Sequence, residues 1–247
     1  MRKKALLFIS AAVLIAAVVL VVFLTTKRGD GARRGVIKPD GSSLTLIIDA
    51  GHGGEDGGAV SPSGLVESVV NLDVARRIEL LAAFFGVTTV MTREREDIDY
   101  SDSAETTRER KTEDQRARLK IINNTPNAVF LSIHQNIFAD ESPFGAEALY
   151  APTEGSRELA LGLQELFVSS LDPENRRSAA LIQDTIYLMN NISCPAVLVE
   201  CAFLSNPKEE ALLRTDEYKL KLATVITAGY LQNRDELSGI YGLEVSA

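Results

Sequence analysis

The chain contains two histidines, and each of them directly follows a predicted strand. His52 lies in the run Asp-Ala-Gly-His-Gly-Gly, and His134 lies in the run Leu-Ser-Ile-His-Gln-Asn. Because ligands bind where the carboxyl ends of parallel strands converge, the two side chains can share a site although 82 positions separate them. A single histidine would more simply bond to the backbone, but that interpretation weakens when both occupy such a position. Glycines beside His52 also let the backbone approach a ligand closely.

Two histidines and a carboxylate are a common protein ligand set for catalytic zinc, with water in the fourth position. Glu67 opens a predicted helix after the lead-in at residues 64–66, and it is the favoured third ligand. Glu55 and Asp56 lie nearer to His52 in sequence, although acids in short loops more often form turns. The residue types therefore predict a zinc site, with these two acids as alternatives to Glu67.

Glu200 follows the apolar strand predicted at residues 195–199. An acid at the end of a buried strand is unfavourable unless it has a partner or a function. One interpretation is a helix N-cap partner or a buried ion pair. The other is the general base of a zinc hydrolase, which takes a proton from water and delivers it to a leaving amine.

Strand and helix patterns alternate along most of the chain. Apolar, β-rich runs predict strands at residues 44–48, 87–91, 128–133, 146–150 and 196–199. Helical spacing of apolar residues predicts helices at residues 67–85, 113–122, 156–169 and 218–231. Gly86 stands where a helix C-cap belongs. This alternation predicts one α/β domain over residues 44–235, with a mostly parallel twisted sheet covered on both faces.

Two further segments are rich in polar residues. The stretch Thr92–Arg118 has a high density of both signs of charge and is interpreted as a solvated loop that leads into a helix. Residues 236–247 are predicted to form a loose tail. The sequence contains no internal repeat, and no second folded domain is predicted.

The N-terminus carries a long apolar segment. Three cations at residues 2–4 precede 20 residues, 5–24, whose apolar run is interrupted by one serine. A helix needs about 20 apolar residues to cross a bilayer, whereas a cleaved signal peptide has a shorter apolar region and a small-x-small site. We therefore expect an uncleaved transmembrane signal anchor at residues 1–24 and a flexible linker at residues 25–43. Cations on both sides leave the orientation undecided by charge.

Composition excludes several other classes of protein. The 247 residues are 45% hydrophobic, which is enough for one sizeable core. The formal net charge of −8, with no tryptophan and no basic stripe, argues against a nucleic-acid partner. Cys194 and Cys201 flank a predicted strand that would separate their Cα atoms by up to about 23 Å. A disulfide spans about 7 Å or less, so we expect buried free thiols.

Four segments of the chain resemble the zinc-dependent N-acetylmuramoyl-L-alanine amidases. The segments, in the order found in that family, are Ile48–Ala59, Gly64–Glu67, Leu131–Asn136 and Val199–Asn206. The resemblance extends from residue 44 to about residue 233, which is nearly the whole chain after the linker. Three residues depart from those usual in the family: Ala50, Ser68 and Ala202. None of the three is a predicted ligand or the predicted base.

The resemblance implies hydrolysis of the amide that joins N-acetylmuramic acid, through its lactyl group, to L-alanine of the peptidoglycan stem peptide. His52, Glu67 and His134 would bind Zn²⁺, and Glu200 would be the catalytic carboxylate. Asn136, which ends the His134 motif, is the predicted substrate-binding residue. The fold would be a six-stranded sheet with surrounding helices.

The resemblance also assigns a structural role to Arg116, together with Asn123 or Asn124, in the helix before the third strand. The interval from His134 to Gly145 is too short for the blocking helix that some family members insert, and wall-binding repeats are not found. A catalytic domain on a membrane anchor is similar to the spore-cortex amidases, which implies a role in sporulation and germination. The expected location is the outer side of the membrane, where peptidoglycan lies, and an activating or targeting protein partner is a hypothesis.

Two other functions are compatible with parts of the pattern. A zinc carboxypeptidase acting on the stem peptide would place its ligand acid within the motif of its first histidine, whereas 15 positions separate His52 from Glu67. A non-catalytic wall-binding module would have no use for a base at Glu200. A plain α/β domain without metal would leave these acids without partners, which is energetically unfavourable.

Overall fold

A mixed six-stranded sheet forms the centre of the protein. The computed structural model describes residues 41–243. The strands are β1 (Thr45–Ala50), β2 (Thr88–Met91), β3 (Ala128–Asn136), β4 (Glu147–Tyr150), β5 (Ala180–Leu181) and β6 (Ala196–Phe203). Their order in the sheet is β2-β1-β3-β6-β4-β5. All neighbouring pairs are parallel except β4 and β6, which are antiparallel. The predicted six-stranded, mostly parallel α/β sheet is confirmed.

Helices surround this sheet. They are α1 (Glu67–Phe84), α2 (Thr107–Asn124), α3 (Ser156–Leu166), α4 (Pro207–Leu213), α5 (Asp216–Gln232) and α6 (Arg234–Ile240), and a π-helical turn (Phe167–Leu171) continues α3. Helices α1 and α3 both pack against α5. Helix α2 contacts β3, and its Ile122 packs with Ile47, Phe130 and Leu198 in one hydrophobic core cluster. The central strands β1, β3 and β6 are almost entirely buried, as their apolar sequences predict.

Local capping signals explain where several helices begin and end. Helix α1 ends before Gly86, which has a φ of +70°. The N–H of Gly86 donates to Ala83 and that of Val87 donates to Ala82, which is a Schellman motif and confirms the predicted C-cap. Helix α2 begins six residues earlier than predicted, because Thr106 and Glu109 form a capping box.

The C-terminal segment is not the loose tail that the sequence predicted. Residues 234–240 form α6, Leu237 is buried, and the Tyr241 hydroxyl donates to the carbonyl of Ala128 at 2.6 Å. The short α6 was missed because seven residues hold too few apolar positions to show helical periodicity. The predicted anchor and residues 25–40 of the linker lie outside the described residues. Within residues 41–243, every helix is too short or too polar to span a membrane.

A buried ion pair holds the carboxyl end of β1. Arg118 of α2 donates to Asp49 at 2.7 Å, to the carbonyl of Ala50 at 2.8 Å and to the carbonyl of His52 at 2.6 Å. Both charged side chains are almost fully buried. The Asp49 carboxylate also accepts hydrogen bonds from the hydroxyls of Ser132 and Thr92. Burial alone would raise the pKa of Asp49. The Arg118 charge and these two hydroxyls lower it by more than burial raises it, so the pKa lies below its usual value.

This ion pair corrects one expectation drawn from the resemblance. Arg116 is exposed on α2, as are Asn123 and Asn124, and the buried structural arginine is Arg118, two positions later. Helical geometry decides between the two, since residues two apart on a helix point in very different directions.

Replacement of Leu237 by alanine should lower the free energy of unfolding by about 2–5 kcal/mol, because it leaves a cavity where a buried leucine packs. Urea denaturation of the full-length chain measures the change. Glu236→Ala, one position earlier on the exposed side of α6, is the matched control and should be nearly neutral. Equal, small effects of both substitutions would mean that α6 does not pack against the domain.

Replacement of Arg118 by leucine should destabilise the metal-free protein by about 3–5 kcal/mol at pH 7, because the Asp49 carboxylate would stay buried without its cation. The stability that the low pKa of Asp49 contributes is present above the unfolded value of about 3.9 and is lost as pH falls. In the variant, protonation of Asp49 removes the unpaired charge. The difference in unfolding free energy between the two proteins should therefore narrow from pH 7 towards pH 4.

The matched control for this pair is Arg116→Leu on the same helix, which should change the unfolding free energy by less than about 0.5 kcal/mol. A difference between wild type and Arg118→Leu that stays constant with pH would contradict the role given to the Asp49 charge.

Candidate metal centre and active site

Three predicted ligands meet at the carboxyl edge of the sheet. His52 follows β1, Glu67 is the first residue of α1, and His134 lies near the end of β3. Nε2 of His52 lies 3.4 Å from Oε2 of Glu67, and Nδ1 of His134 lies 3.0 Å from Oε1 of Glu67. One candidate ligand atom from each residue lies within 4.8 Å of the other two. The structure therefore brings together the two histidines and the acid favoured from sequence.

The Glu67 carboxylate is buried and held by several donors. Oε2 accepts from the backbone N–H of Ala59 at 2.8 Å, and Oε1 accepts from the backbone N–H of Gln135 at 3.1 Å and from Nδ2 of Asn71 at 3.2 Å. Burial raises the pKa of Glu67, but the hydrogen bond to His134, the histidine charges and the Ala59 N–H outweigh it and lower the pKa to about 2. The carboxylate is thus ionised and oriented before any ligand arrives.

His52 occupies a strained turn that two buried arginines support. Its φ is +59°, a left-handed conformation that few residues other than glycine adopt. Arg118 donates to the carbonyl of His52, and Arg93 donates to the carbonyls of Ala50 at 2.8 Å and Gly51 at 3.2 Å. Such strain persists only where the surroundings fix it, and it is common at functional sites.

Asp56 sets the orientation of the His52 ring. Its Oδ2 lies 3.0 Å from Nδ1 of His52 and 2.8 Å from Nζ of Lys111. The His52 hydrogen bond holds the pKa of Asp56 below its usual range. A proton fixed on Nδ1 leaves Nε2, the atom nearer Glu67, as the free donor of an electron pair, which is the usual arrangement behind a metal-binding histidine. Asp56 is therefore a partner of His52, and Glu55 is exposed and paired with Arg110.

Two glycines allow the site to close around its side chains. A Cβ built on Gly51 would lie 2.3 Å from the His134 ring, and one built on Gly58 would lie 2.5 Å from Oε2 of Glu67. Real Cβ atoms do not approach other atoms so closely, so any side chain at either position would displace a predicted ligand. The glycines around His52 that the sequence singled out thus give the close backbone approach that was expected.

The donor set fits a zinc ion. Ligand atoms around tetrahedral zinc, with bonds of about 2.0 Å, lie about 3.3 Å apart. Nε2 of His52 lies 3.4 Å from Oε2 of Glu67 and Nδ1 of His134 lies 3.0 Å from Oε1, and one ligand atom from each residue lies within 4.8 Å of the others, so small side-chain adjustments suffice to reach that spacing. Two imidazoles and one carboxylate also leave a fourth position for water or substrate, as in catalytic zinc sites.

Glu200 lies beside this cluster in a contrasting environment. On β6 it is in register with His134 of β3 on one side and with Glu147 of β4 on the other. Its Oε2 is buried and has no hydrogen-bond partner among residues 41–243. Burial is the main cause that raises the pKa of Glu200 to about 7, opposed by the His134 charge and assisted by the charges of Glu67 and Glu147. Within residues 41–243, Glu200 forms no ion pair and caps no helix. The two purely structural roles considered for it, a helix N-cap partner and a buried ion pair, are therefore excluded there.

The remaining predicted residues lie close by. Asn136 ends β3 two residues after His134, and its Oδ1 accepts from the N–H of Ile137 at 2.9 Å. The charged stretch after β2 forms the expected loop, which borders an open surface pocket of about 620 Å³ next to Tyr100 and Arg110. None of the residues that line this pocket belongs to the His–Glu–His cluster. Cys194 and Cys201 are buried free thiols, as predicted.

Sequence reasoning missed the residues that position the ligands. Arg93, Asn71 and Gln135 bond to the ligands or to the backbone between them, and all three are buried. The available signal was the position of Asn71, one helical turn after Glu67, which allows contact on a helix. Arg93 gave no signal, because it lies in a stretch full of charges that are mostly exposed.

Comparisons with known proteins agree with this geometry. The germination-specific N-acetylmuramoyl-L-alanine amidase of Bacillus subtilis is 34% identical over 192 residues, which cover 77% of this chain and 80% of that protein. The structure of the CwlD amidase from Clostridioides difficile, solved in complex with the GerS lipoprotein, is 36% identical with a TM-score of 0.72. The match covers 76% of this chain and 97% of CwlD. For the amidase AmiC2 of Nostoc punctiforme, the identity is 26%, the TM-score is 0.64 and the covered shares are 76% and 96%.

The family model described as N-acetylmuramoyl-L-alanine amidase matches residues 46–232, which include the sheet apart from Thr45 and each residue of the candidate site. With a family match over most of its length and a relative of more than 30% identity, the chain belongs to the N-acetylmuramoyl-L-alanine amidases, enzymes that act on peptidoglycan.

Proposed function

We propose that the chain is a zinc-dependent amidase in which His52, Glu67 and His134 bind the metal and Glu200 is the general base. The observation that carries the proposal is the placement of Glu200 in register with His134, next to a cluster whose three candidate ligand atoms lie within 4.8 Å of one another. Zn²⁺ bound there would supply a Lewis acid for the attacking water and for the lactyl carbonyl.

The side chains around the cluster divide the remaining work between them. Glu67 stays ionised, whereas Glu200, with a pKa raised to about 7, can exchange a proton near neutral pH. Glu200 would accept a proton from the attacking water and deliver it to the departing amine of L-alanine. Asn136, at the end of β3, would hydrogen-bond the substrate beside the reacting amide.

The competing functions receive less support. A carboxypeptidase would recognise a free terminal carboxylate, and the family match is to enzymes that cleave an internal amide. A wall-binding module would not need a carboxylate with an unsatisfied buried oxygen, which weakens the fold without aiding adhesion.

We extend the proposal to the biological setting of the reaction. The Bacillus subtilis relative is named as germination-specific, and the Clostridioides difficile CwlD structure contains a lipoprotein partner. By similarity, this chain would act on the spore cortex in sporulation and germination, and it would work with an extracytoplasmic lipoprotein as its activating or targeting partner. The N-terminal segment would anchor it in the membrane.

Replacement of Glu200 by glutamine should leave zinc bound and lower turnover by about 100- to 10,000-fold, because the amide side chain cannot take up a proton. Zinc content by elemental analysis and release of stem peptides with free L-alanine amino groups are measured on the same preparation. Glu158 is an exposed acid on α3, and Glu158→Gln is the matched control. It should equal the wild type in zinc content and in release of stem peptides.

Each other outcome has a distinct meaning. Equal release by wild type and Glu200→Gln would refute the assignment of the base. Zinc absent from the wild type, or retained when His134 is replaced by alanine, would refute the ligand set.

Peptidoglycan lies outside the cytoplasm, so residues 25–247 would follow the anchor across the membrane. A reporter fused to the C-terminus should therefore be active only if it is a reporter that works outside the cytoplasm. Alkaline phosphatase, which needs export, and a cytoplasmic fluorescent protein form the matched pair. Activity of the cytoplasmic reporter alone would contradict the proposed orientation.

A further inference from the structure

Glu147 continues the row of site residues across the sheet. His134 on β3, Glu200 on β6 and Glu147 on β4 are register partners, and such partners point to the same face. Neighbouring strands lie about 4.8 Å apart, so this row extends about 10 Å from His134 to Glu147. Glu147 therefore lies on the opposite side of Glu200 from His134.

The group bound to Glu147 is Arg177. Nη1 of Arg177 donates to Oε2 of Glu147 at 2.7 Å, Nε donates to the carbonyl of Phe144 at 3.1 Å, and the guanidinium lies 4.3 Å from the centre of the Phe203 ring. The side chain keeps 25% of its surface exposed. Nη2 donates to no other residue in the described part of the chain, so this edge of the guanidinium is free to meet a ligand from solvent.

Buried polar groups fix the backbone around the guanidinium. Asn175 is almost fully buried, and its side chain accepts from the backbone N–H of Arg177 at 2.9 Å. The buried carboxylate of Glu209 accepts from the N–H of Phe203 at 2.7 Å and from that of Gly145 at 2.9 Å. Asn175 thus holds the backbone of Arg177, and Glu209 holds the backbone of Phe203 and Gly145.

The proposed chemistry determines which part of the substrate lies here. If Glu200 delivers a proton to the departing amine, that amine lies on the Glu200 side of the metal ligands. The stem peptide then continues past β6 towards β4 and Arg177. Two extended residues span up to about 7 Å, so the second residue of the peptide can reach Arg177.

That second residue carries an anionic group of the right kind. In peptidoglycan it is a D-glutamate joined onwards through its side chain, so its α-carboxyl group is either free or amidated. A guanidinium donates charge-assisted hydrogen bonds to a carboxylate, and a neutral carboxamide cannot match their strength. The chain has a net charge of −8, so an anionic peptide needs a local cation to be held at the site.

We propose that Arg177 forms a carboxylate-binding subsite, in which it holds the free α-carboxylate of the residue that follows L-alanine in the stem peptide. This inference rests on the proposed amidase function. Arg177 is a specificity-determining residue that selects unamidated stem peptides, and Glu147, Phe203 and Asn175 position its guanidinium.

The test compares two sets of glycan strands whose stem peptides carry either the α-carboxylate or the α-carboxamide. The full-length wild type should cleave the carboxylate form with a kcat/KM about 10- to 100-fold higher, as expected for loss of a charge-assisted hydrogen bond. Arg177→Gln should cleave both forms with similar kcat/KM. Arg176→Gln, whose side chain is exposed and pairs with Glu174, should keep the wild-type ratio.

Removal of Arg177 also leaves Glu147 without its cation beside Glu200, which lowers the rate on both substrates. The readout is therefore the ratio of kcat/KM for the carboxylate form to kcat/KM for the carboxamide form. The double variant Glu147→Gln/Arg177→Gln removes both charges and should likewise show no preference. Binding of the free stem peptides to Glu200→Gln gives a readout independent of turnover, and the carboxylate form should bind about 10- to 100-fold more tightly.

A wild type that cleaves both forms equally would overturn the subsite and leave the amidase proposal intact. The subsite would also be overturned if Arg177→Gln were less stable yet kept the preference, since Arg177 would then be only a structural ion-pair partner. Cleavage of neither form by the wild type would count against the proposed amidase function itself.

Discussion

The buried Asp49–Arg118 ion pair is the interaction on which the site depends. Arg118 neutralises Asp49 and also donates to the carbonyls of Ala50 and His52. A left-handed residue such as His52 is unfavourable by about 1–3 kcal/mol, so the turn needs support from outside itself. An arginine supplies it because one planar group carries five donors, enough to reach a carboxylate and two carbonyls together. A lysine at this position could not fill the same set of acceptors in one plane.

Glu67 and Glu200 show how environment separates the properties of identical side chains. Glu67 accepts from two backbone N–H groups and from Asn71 beside two histidines, so it remains ionised and suits a ligand. Glu200 is on the same edge of the sheet but has one buried oxygen without a partner, and its pKa is raised to about 7. Carboxyl groups whose pKa values are driven apart in this way are typical of acid–base sites. The unsatisfied oxygen of Glu200 weakens the fold, and proton transfer is the function that would explain its retention.

The sequence predicted the features that depend on local pattern or on chain order. The central strands, α1 with its Gly86 cap, and the pairing of His52 with His134 follow from apolar runs and from the geometry of parallel sheets. Spacing made Glu67 only a modest favourite over Glu55 and Asp56, because it could not show that Asp56 bonds to the opposite nitrogen of the His52 ring. Arg118 could not be told from its neighbours on a charged helix, since burial there depends on the rotation of α2 against the sheet.

The reversed direction of β4 has a consequence that no local pattern could predict. In a parallel sheet only the last residues of each strand reach the carboxyl edge, but an antiparallel strand brings its first residues there. Glu147, the first residue of β4, is therefore opposite Glu200, and the chain before β4 reaches the same edge. Since β5 is parallel to β4, the segment that leads into β5 also approaches this edge, and it carries Arg177. One strand reversal thus adds an acid and a cation to an edge where the parallel strands supply His52, His134 and Glu200.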